Sequence, residues 1–167
     1  MKMNAVTAYL GLGSNIGRKK KNLLQAVKLL NAVPGVTVKK ISRFYRTKPM
    51  YYEEQPDFCN AVVKIKTTVE PEDLYVSVKK IEKRMGRRSR IKWGPRIIDI
   101  DILLYGNRVI RTSFLTIPHS RMHERPFVLE PLLEIAPQTM HPLKKKRCST
   151  IFNQLKKDAS YLSYMYS

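Results

Sequence analysis

Apolar and polar positions along the chain follow two spacings that change at turn residues. Residues 5–12, AVTAYLGL, predict a strand. Gly13, Ser14, Asn15 and Gly17 then make a turn, and a helix is predicted from about 18 to 31, with Leu23, Leu24, Val27 and Leu30 on one stripe. The PGV at 34–36 breaks that pattern, and a β-rich segment follows over 36–46. After the loop TKPMYYEEQPD comes a third strand, FCNAVVKIKT, over 58–67. EPED at 70–73 opens a second helix, with Pro71 in its first turn and acids where the helix dipole favours them. Leu74, Val78, Ile81 and Met85 face inward along it, and Gly86 ends it. A strongly apolar strand over 97–105 follows, then GNRVI turning into a short strand, then the loop PHSRMHERPF and a short helix, FVLEPLLEIA. The order β-α-β-β-α-β indicates a ferredoxin-like α+β sandwich, two helices on one face of an antiparallel sheet.

The strand at 97–105 carries two acids, Asp99 and Asp101. Strand side chains alternate, so Ile98, Ile100 and Ile102 point one way and both carboxylates the other. Neighbouring carboxylates repel, and burial makes ionising both harder still. A solvated sheet face would hold them at little cost. A divalent cation between them is the sharper reading, because Mg²⁺ takes one or two carboxylates together with phosphates and water. The residues just ahead favour the cation: Arg87, Arg88, Arg90, Lys92 and Arg96 lie within ten positions. Carboxylates beside a guanidinium cluster describe a polyphosphate site.

At 167 residues the chain is expected to form one domain. No apolar run approaches the ~20 residues that span a bilayer, and the first residues do not read as a signal peptide. Two cysteines, Cys59 and Cys148, lack metal-ligand spacing and are expected as free thiols in a reducing cytoplasm. The net charge of +19 and a pI near 10.1 draw polyanions of any kind. The basic runs at residues 18–21 and 144–147 are read as solvated surface.

Several smaller motifs add to this. GLGSNIG fails the dinucleotide pattern because Ile16 stands where its third glycine belongs, and the phosphate-loop lysine motif is absent. Ser14 or Asn15 is expected to cap the helix that follows. His119 lies in a loop with Arg121 and Arg125 and is a candidate phosphate contact, whereas His123 and His141 carry no assignment. Asn60 lies two residues after Phe58, so a ring and a carboxamide share a strand face and could stack on a flat heterocycle and bond its edge.

Taken together, LGSNIG, FYRTKPM, QPDFCNAV, KWGPR followed by IIDIDILLYG, and LTIPHSRMHERPFVLEPLLEIAP resemble the 6-hydroxymethyl-7,8-dihydropterin pyrophosphokinase family, over about Thr7 to Leu155. The resemblance implies transfer of a pyrophosphoryl group from ATP to the pterin hydroxymethyl group, with release of AMP, in folate biosynthesis. It implies two Mg²⁺ ions on Asp99 and Asp101, with Arg87 and Arg96 joining them as catalytic residues. ATP contacts are implied for Glu82, Arg87, Arg88 or Arg90, Trp93, Arg96, Ile102, Thr116, His119 and Arg125. Phe58 and Phe127 would sandwich the pterin, Asn60 bond its edge, Thr47, Lys48 and Met50 line its pocket, and Trp93 close over it. The chain departs from the family pattern at Lys79, Phe114 and Ser120, where glutamine, arginine and tyrosine are usual. A monomer in the cytoplasm is expected, with no nucleic-acid or membrane partner.

The competing class is a basic ferredoxin-like RNA-binding module. Its third strand should carry stacking aromatics in a glycine-containing pattern, whereas FCNAVVKIK has one aromatic and no glycine. The acidic pair would also repel a phosphate backbone.

Overall fold

The computed structural model describes residues 4–49, 54–87 and 95–157. Strands β1 (Val6–Ser14), β2 (Val36–Ile41), β3 (Tyr45–Thr47), β4 (Phe58–Thr67) and β5 (Asp99–Tyr105) form one antiparallel sheet in the order β2-β4-β1-β5, with β3 also pairing β4. Helix α1 (Lys19–Asn31) connects β1 to β2, and α2 (Pro71–Arg84) connects β4 to β5. That connectivity is the expected ferredoxin-like arrangement. The 36–46 segment is two strands, broken where Ser42 leaves the ladder to accept Val62 N–H through its hydroxyl.

Both helices pack on one face. Leu23, Ala26 and Leu30 of α1 and Leu74, Val78 and Ile81 of α2 meet Ala8, Leu10, Leu12, Ile65, Ile98 and Ile100 in the main core. Each of the leucine, isoleucine and valine side chains contributes on the order of 1.5–3 kcal/mol when fully buried. Leu24, expected on the inward stripe of α1, is 55 % exposed; Ala26 takes its place, because the helix turns its face one position away. Helix α2 begins with Pro71 and two acids and ends before Gly86, whose φ of +88° closes the helix in the left-handed region.

The opposite face is not open. Beyond β6 (Ile110–Arg111), β7 (Thr116–Ile117) and a 3₁₀ turn at Met122–Glu124, helix α3 (Pro126–Ile135) crosses it, followed by a hairpin of β8 (Met140–His141) and β9 (Lys146–Arg147) and by α4 (Cys148–Lys156). Leu129, Leu132, Ile135, Cys148 and Phe152 pack there on Val62, Leu103 and Leu104. The layer explains why residues 59–63 of β4 are buried on both faces. The expected two-helix sandwich is thus extended by a second layer, which covers one end of the far face and leaves a cleft beside it.

Candidate active site

Alternation along β4, β1 and the edge strand β5 builds that cleft. Gly11 and Gly13 of β1, Phe58, Asn60 and Val62 of β4, and Asp99, Asp101 and Leu103 of β5 share the face away from α1 and α2. Arg125, Phe127 and Val128 at the start of α3 form the opposite wall, and Thr47, Lys48 and Gln55 close one side. The two glycines leave bare backbone as the floor. A Cβ on Gly13 would lie 2.9 Å from Asn60 Oδ1. Asn60 Nδ2 donates to Thr47 Oγ1, and both residues are buried. With one amide hydrogen on Thr47, the Asn60 carboxamide is fixed in orientation and its oxygen is left as an acceptor in the cleft.

A second cleft lies along the free edge of β5. Tyr75, Val78 and Lys79 of α2, Ile100 and Ile102 of β5, Phe114, Leu115 and Thr116 of the β6–β7 hairpin, and His119 and Ser120 line it. Lys79, Phe114 and Ser120, the three departures from the family pattern, therefore fall together in this one cleft. Asp101 lines both clefts.

Charge concentrates where the clefts meet. Arg96 Nη1 lies 3.1 Å from Asp99 Oδ2 and Arg87 Nη2 lies 3.5 Å from Asp99 Oδ1. Burial pushes the Asp101 carboxyl well above the usual carboxylate range, and the neighbouring Asp99 charge pushes it further. The Nε atoms of Arg87, Arg96 and Arg125 are buried without an acceptor among the described residues. Three such donors around two crowded carboxylates suit a bound anion accompanied by a cation. Two carboxylates on one strand face provide the hard oxygen donors that Mg²⁺ takes alongside phosphate and water. Among the described residues no three or more His, Cys, Asp or Glu side chains are placed to hold a metal ion together, so a cage built from protein ligands alone is not present there.

His119 is anchored by its own N–H to Leu103 O at 3.0 Å, and its Nδ1 accepts from Arg121 N–H at 3.1 Å. Burial, with Arg125 adding to it, lowers its pKa to about 4. The ring is neutral at pH 7 and carries its proton on Nε2, 3.9 Å from Asp101 Oδ2. Glu82 lines neither cleft. It is buried behind β5, accepting Ile100 N–H at 2.8 Å and Lys79 Nζ at 2.9 Å. Met50, Arg88, Arg90 and Trp93 lie outside the described residues.

The expected helix cap is corrected. Helix α1 starts after Arg18 with no side-chain cap, because Gly17, at a φ of +70°, turns the chain beyond reach of Ser14 and Asn15. Ser14 ends β1 and accepts from Asn22 Nδ2, whereas Asn15 is bonded to Gln55, Pro56 and Arg96. Gly11 and Gln55 also escaped the sequence reading, and Gly13, expected in a turn, is paired inside β1 with Asn60 and Asp99. The glycine alternation G-x-G within a strand was the one signal for a bare floor.

The profile of the 7,8-dihydro-6-hydroxymethylpterin-pyrophosphokinase (HPPK) family matches residues 9–137, and the chain belongs to that family. It is similar to the 2-amino-4-hydroxy-6-hydroxymethyldihydropteridine pyrophosphokinase of Aquifex aeolicus, 46 % identical over 140 residues, 84 % of this chain and 86 % of that protein. The enzyme of the same name from Bacillus subtilis is 48 % identical over 131 residues, 78 % of each chain. In a folic acid synthesis protein of Schizosaccharomyces pombe the match is 46 % identical but spans 18 % of that longer protein. Among solved structures, wild-type Plasmodium falciparum HPPK-DHPS aligns over 95 % of this chain and 46 % of its own, with a TM-score of 0.71 and 18 % identity, which shows the shared fold. None of these findings supports the nucleic-acid-binding alternative.

Proposed function

We propose that the chain transfers the pyrophosphoryl group of ATP to the hydroxymethyl group of 6-hydroxymethyl-7,8-dihydropterin, giving AMP and the pterin diphosphate, as a step of folate biosynthesis. The observation that carries this reading is the meeting of two dissimilar clefts at Asp101. One has a flat backbone floor, aromatic walls, a free carboxamide oxygen and Arg96 and Arg125 beside its carboxylates; the other mixes apolar side chains with Lys79, Thr116 and Ser120 and sets His119 beside Asp101. A flat heterocycle suits the first and a nucleotide the second, so their reacting atoms converge on the carboxylates.

In the first cleft Phe58 and Phe127 sandwich the pterin, and Asn60 Oδ1 accepts from its ring N–H groups. Thr47 holds the Asn60 amide in that orientation, and Lys48 flanks the entrance. In the second cleft Ile102 and Thr116 contact the nucleoside. Neutral His119 donates Nε2–H to a phosphate oxygen without adding charge, while Arg87, Arg96 and Arg125 supply forked donors to the triphosphate. Asp99 and Asp101 would hold two Mg²⁺ ions, which when bound offset the triphosphate charge and leave the β-phosphorus open to attack. The hydroxymethyl oxygen bonds to that phosphorus as the bond from phosphorus to the α–β bridging oxygen breaks, the hydroxyl proton passes to water, and the guanidinium groups stabilise the charge passing onto AMP. Glu82 acts indirectly, fixing β5 and Lys79. The same reading takes the chain as a single domain working as a monomer in the cytoplasm. Its support is that one chain lines both clefts and that both cysteines are free and buried. No helix among the described residues is long and apolar enough to cross a membrane.

The test is incubation with ATP, Mg²⁺ and the hydroxymethyl pterin. AMP should form only when all three are present. Release of ADP instead, or AMP that forms without the pterin, would refute the assignment.

A further inference from the structure

The stretch GSN at 13–15 is not explained by capping or by a nucleotide loop. Asn15 is fully buried and bonds through every polar atom of its side chain. Its Oδ1 accepts Arg96 N–H at 2.7 Å, and its own N–H donates to Arg96 O at 3.0 Å. The pair closes a two-bond ring just past Gly13–Asp99, the last paired position of β1 and β5. A carboxamide oxygen thus stands in for the missing ladder carbonyl and fixes the main chain of the arginine that reaches Asp99. Both Nδ2 hydrogens point the other way, to Gln55 Oε1 at 2.7 Å and Pro56 O at 3.1 Å. Gln55 lines the first cleft, and Phe58 follows two residues after Pro56. One side chain therefore ties the heterocycle's wall to the phosphate-side arginine across three segments distant in sequence. Among the side chains, one acceptor plus two donors on a stem this short is offered only by asparagine.

We propose that Asn15 is a positioning residue of the transfer reaction, setting Arg96 through one end of its amide and the Gln55–Phe58 wall through the other. The inference rests on the function proposed above. It predicts two separable effects, since each end of the amide serves a different substrate.

Steady-state constants for wild type, Asn15→Ala, Asn15→Asp, Arg96→Ala and the Asn15→Ala/Arg96→Ala double variant test it. Asn15→Ala should lower kcat by roughly tenfold and raise the pterin KM by a similar factor, as loss of well-made buried hydrogen bonds implies. In the Arg96→Ala background the same change should move kcat less than about twofold, because no guanidinium remains to be placed. The pterin KM should still rise there. Asn15→Asp keeps the acceptor for Arg96 N–H and loses the donors, and the Pro56 carbonyl cannot turn to compensate. It should raise pterin KM while kcat stays within about threefold of wild type. A merely structural role lowers kcat by one factor in both backgrounds, so multiplying losses overturn the proposal. Wild-type constants in Asn15→Ala overturn it equally. If Asn15→Ala shows no cooperative melt, the near-isosteric Asn15→Asp decides by its split between KM and kcat, an equal fall of kcat with unchanged KM counting against. A wild type that releases no AMP brings down the functional reading and this inference with it; an active wild type with multiplying losses brings down the inference alone.

Discussion

At the scale of single residues, Asp101 combines two demands that oppose each other. It faces both clefts, and burial beside Asp99 makes its charge costly in the free protein. Replacing it by asparagine removes that cost and leaves the shape unchanged. Asp101→Asn should therefore keep or raise the melting midpoint while AMP release falls about 100-fold or more, as loss of transition-state charge stabilisation implies. Near-normal turnover in the folded variant would remove Asp101 from the chemistry. Phe127 offers a subtler test, because leucine keeps the apolar bulk and loses the ring. Phe127→Leu should weaken pterin binding by roughly 0.5–1.5 kcal/mol and leave nucleotide binding unchanged, by calorimetry. Loss of nucleotide affinity with pterin binding intact would mean that the clefts are assigned in reverse. Carboxylates, arginines and the Phe58–Asn60 pair could be read from the sequence because type and spacing carry their meaning. Asn15 could not, since its partners Gln55 and Arg96 lie 40 and 81 positions away and only the fold brings them together.

At the scale of elements, β5 is an edge strand that also bears the acidic pair, so whatever holds it matters for both fold and site. Glu82 does this from α2 by accepting the outward-facing Ile100 N–H. Glu82→Ala leaves that donor buried and unpaired and should lower unfolding stability by about 1–3 kcal/mol in urea titrations. Glu82→Gln retains an acceptor and should recover most of the loss; equal damage from both would shift the weight to the Lys79 ion pair. A second test concerns the β8–β9 hairpin. His141 is buried, accepts Lys144 N–H at Nδ1, and faces the His123 ring edge-on at 6.0 Å. Burial, then His123 and Lys144, lower its pKa from the ordinary 6.5. Below that value the unfolded chain takes up a proton that the folded chain refuses. Stability should therefore fall as pH drops from about 6.5 toward the lowered pKa. His141→Asn should flatten part of that slope in denaturant midpoints collected across the window, and an unaltered slope would exclude His141 as a source. Strands and helices through residue 105 could be read because long apolar periods and their Pro and Gly stops agree. Of the second layer only α3 could, as the short helix FVLEPLLEIA; the hairpin, α4 and the way they cover the sheet could not. Its helices are short, its hairpin turns on Lys145 at a φ of +54° where no glycine signals a turn, and its KKKR run reads as plain surface.

At the scale of the whole molecule, a charge of +19 on 167 residues means that folding gathers like charges. The screening length falls from about 30 Å at 0.01 M salt to about 8 Å at 0.15 M. Added sodium chloride over that range should raise the thermal midpoint of the ligand-free protein, and an unchanged midpoint would show that self-repulsion costs it little. Family membership was legible in the sequence because its motifs fall on the strands and loops that meet at one place. The bare floor at Gly11 sets resistance to heat against activity. Glycine inside a strand costs roughly 0.5–1 kcal/mol relative to alanine. An added methyl at Gly11 would meet Leu103 at 3.5 Å, an ordinary contact, so the fold itself does not forbid it. A laboratory selection for thermal survival alone would be free to accept alanine there, and each such winner would carry a methyl group in the cleft proposed for the heterocycle.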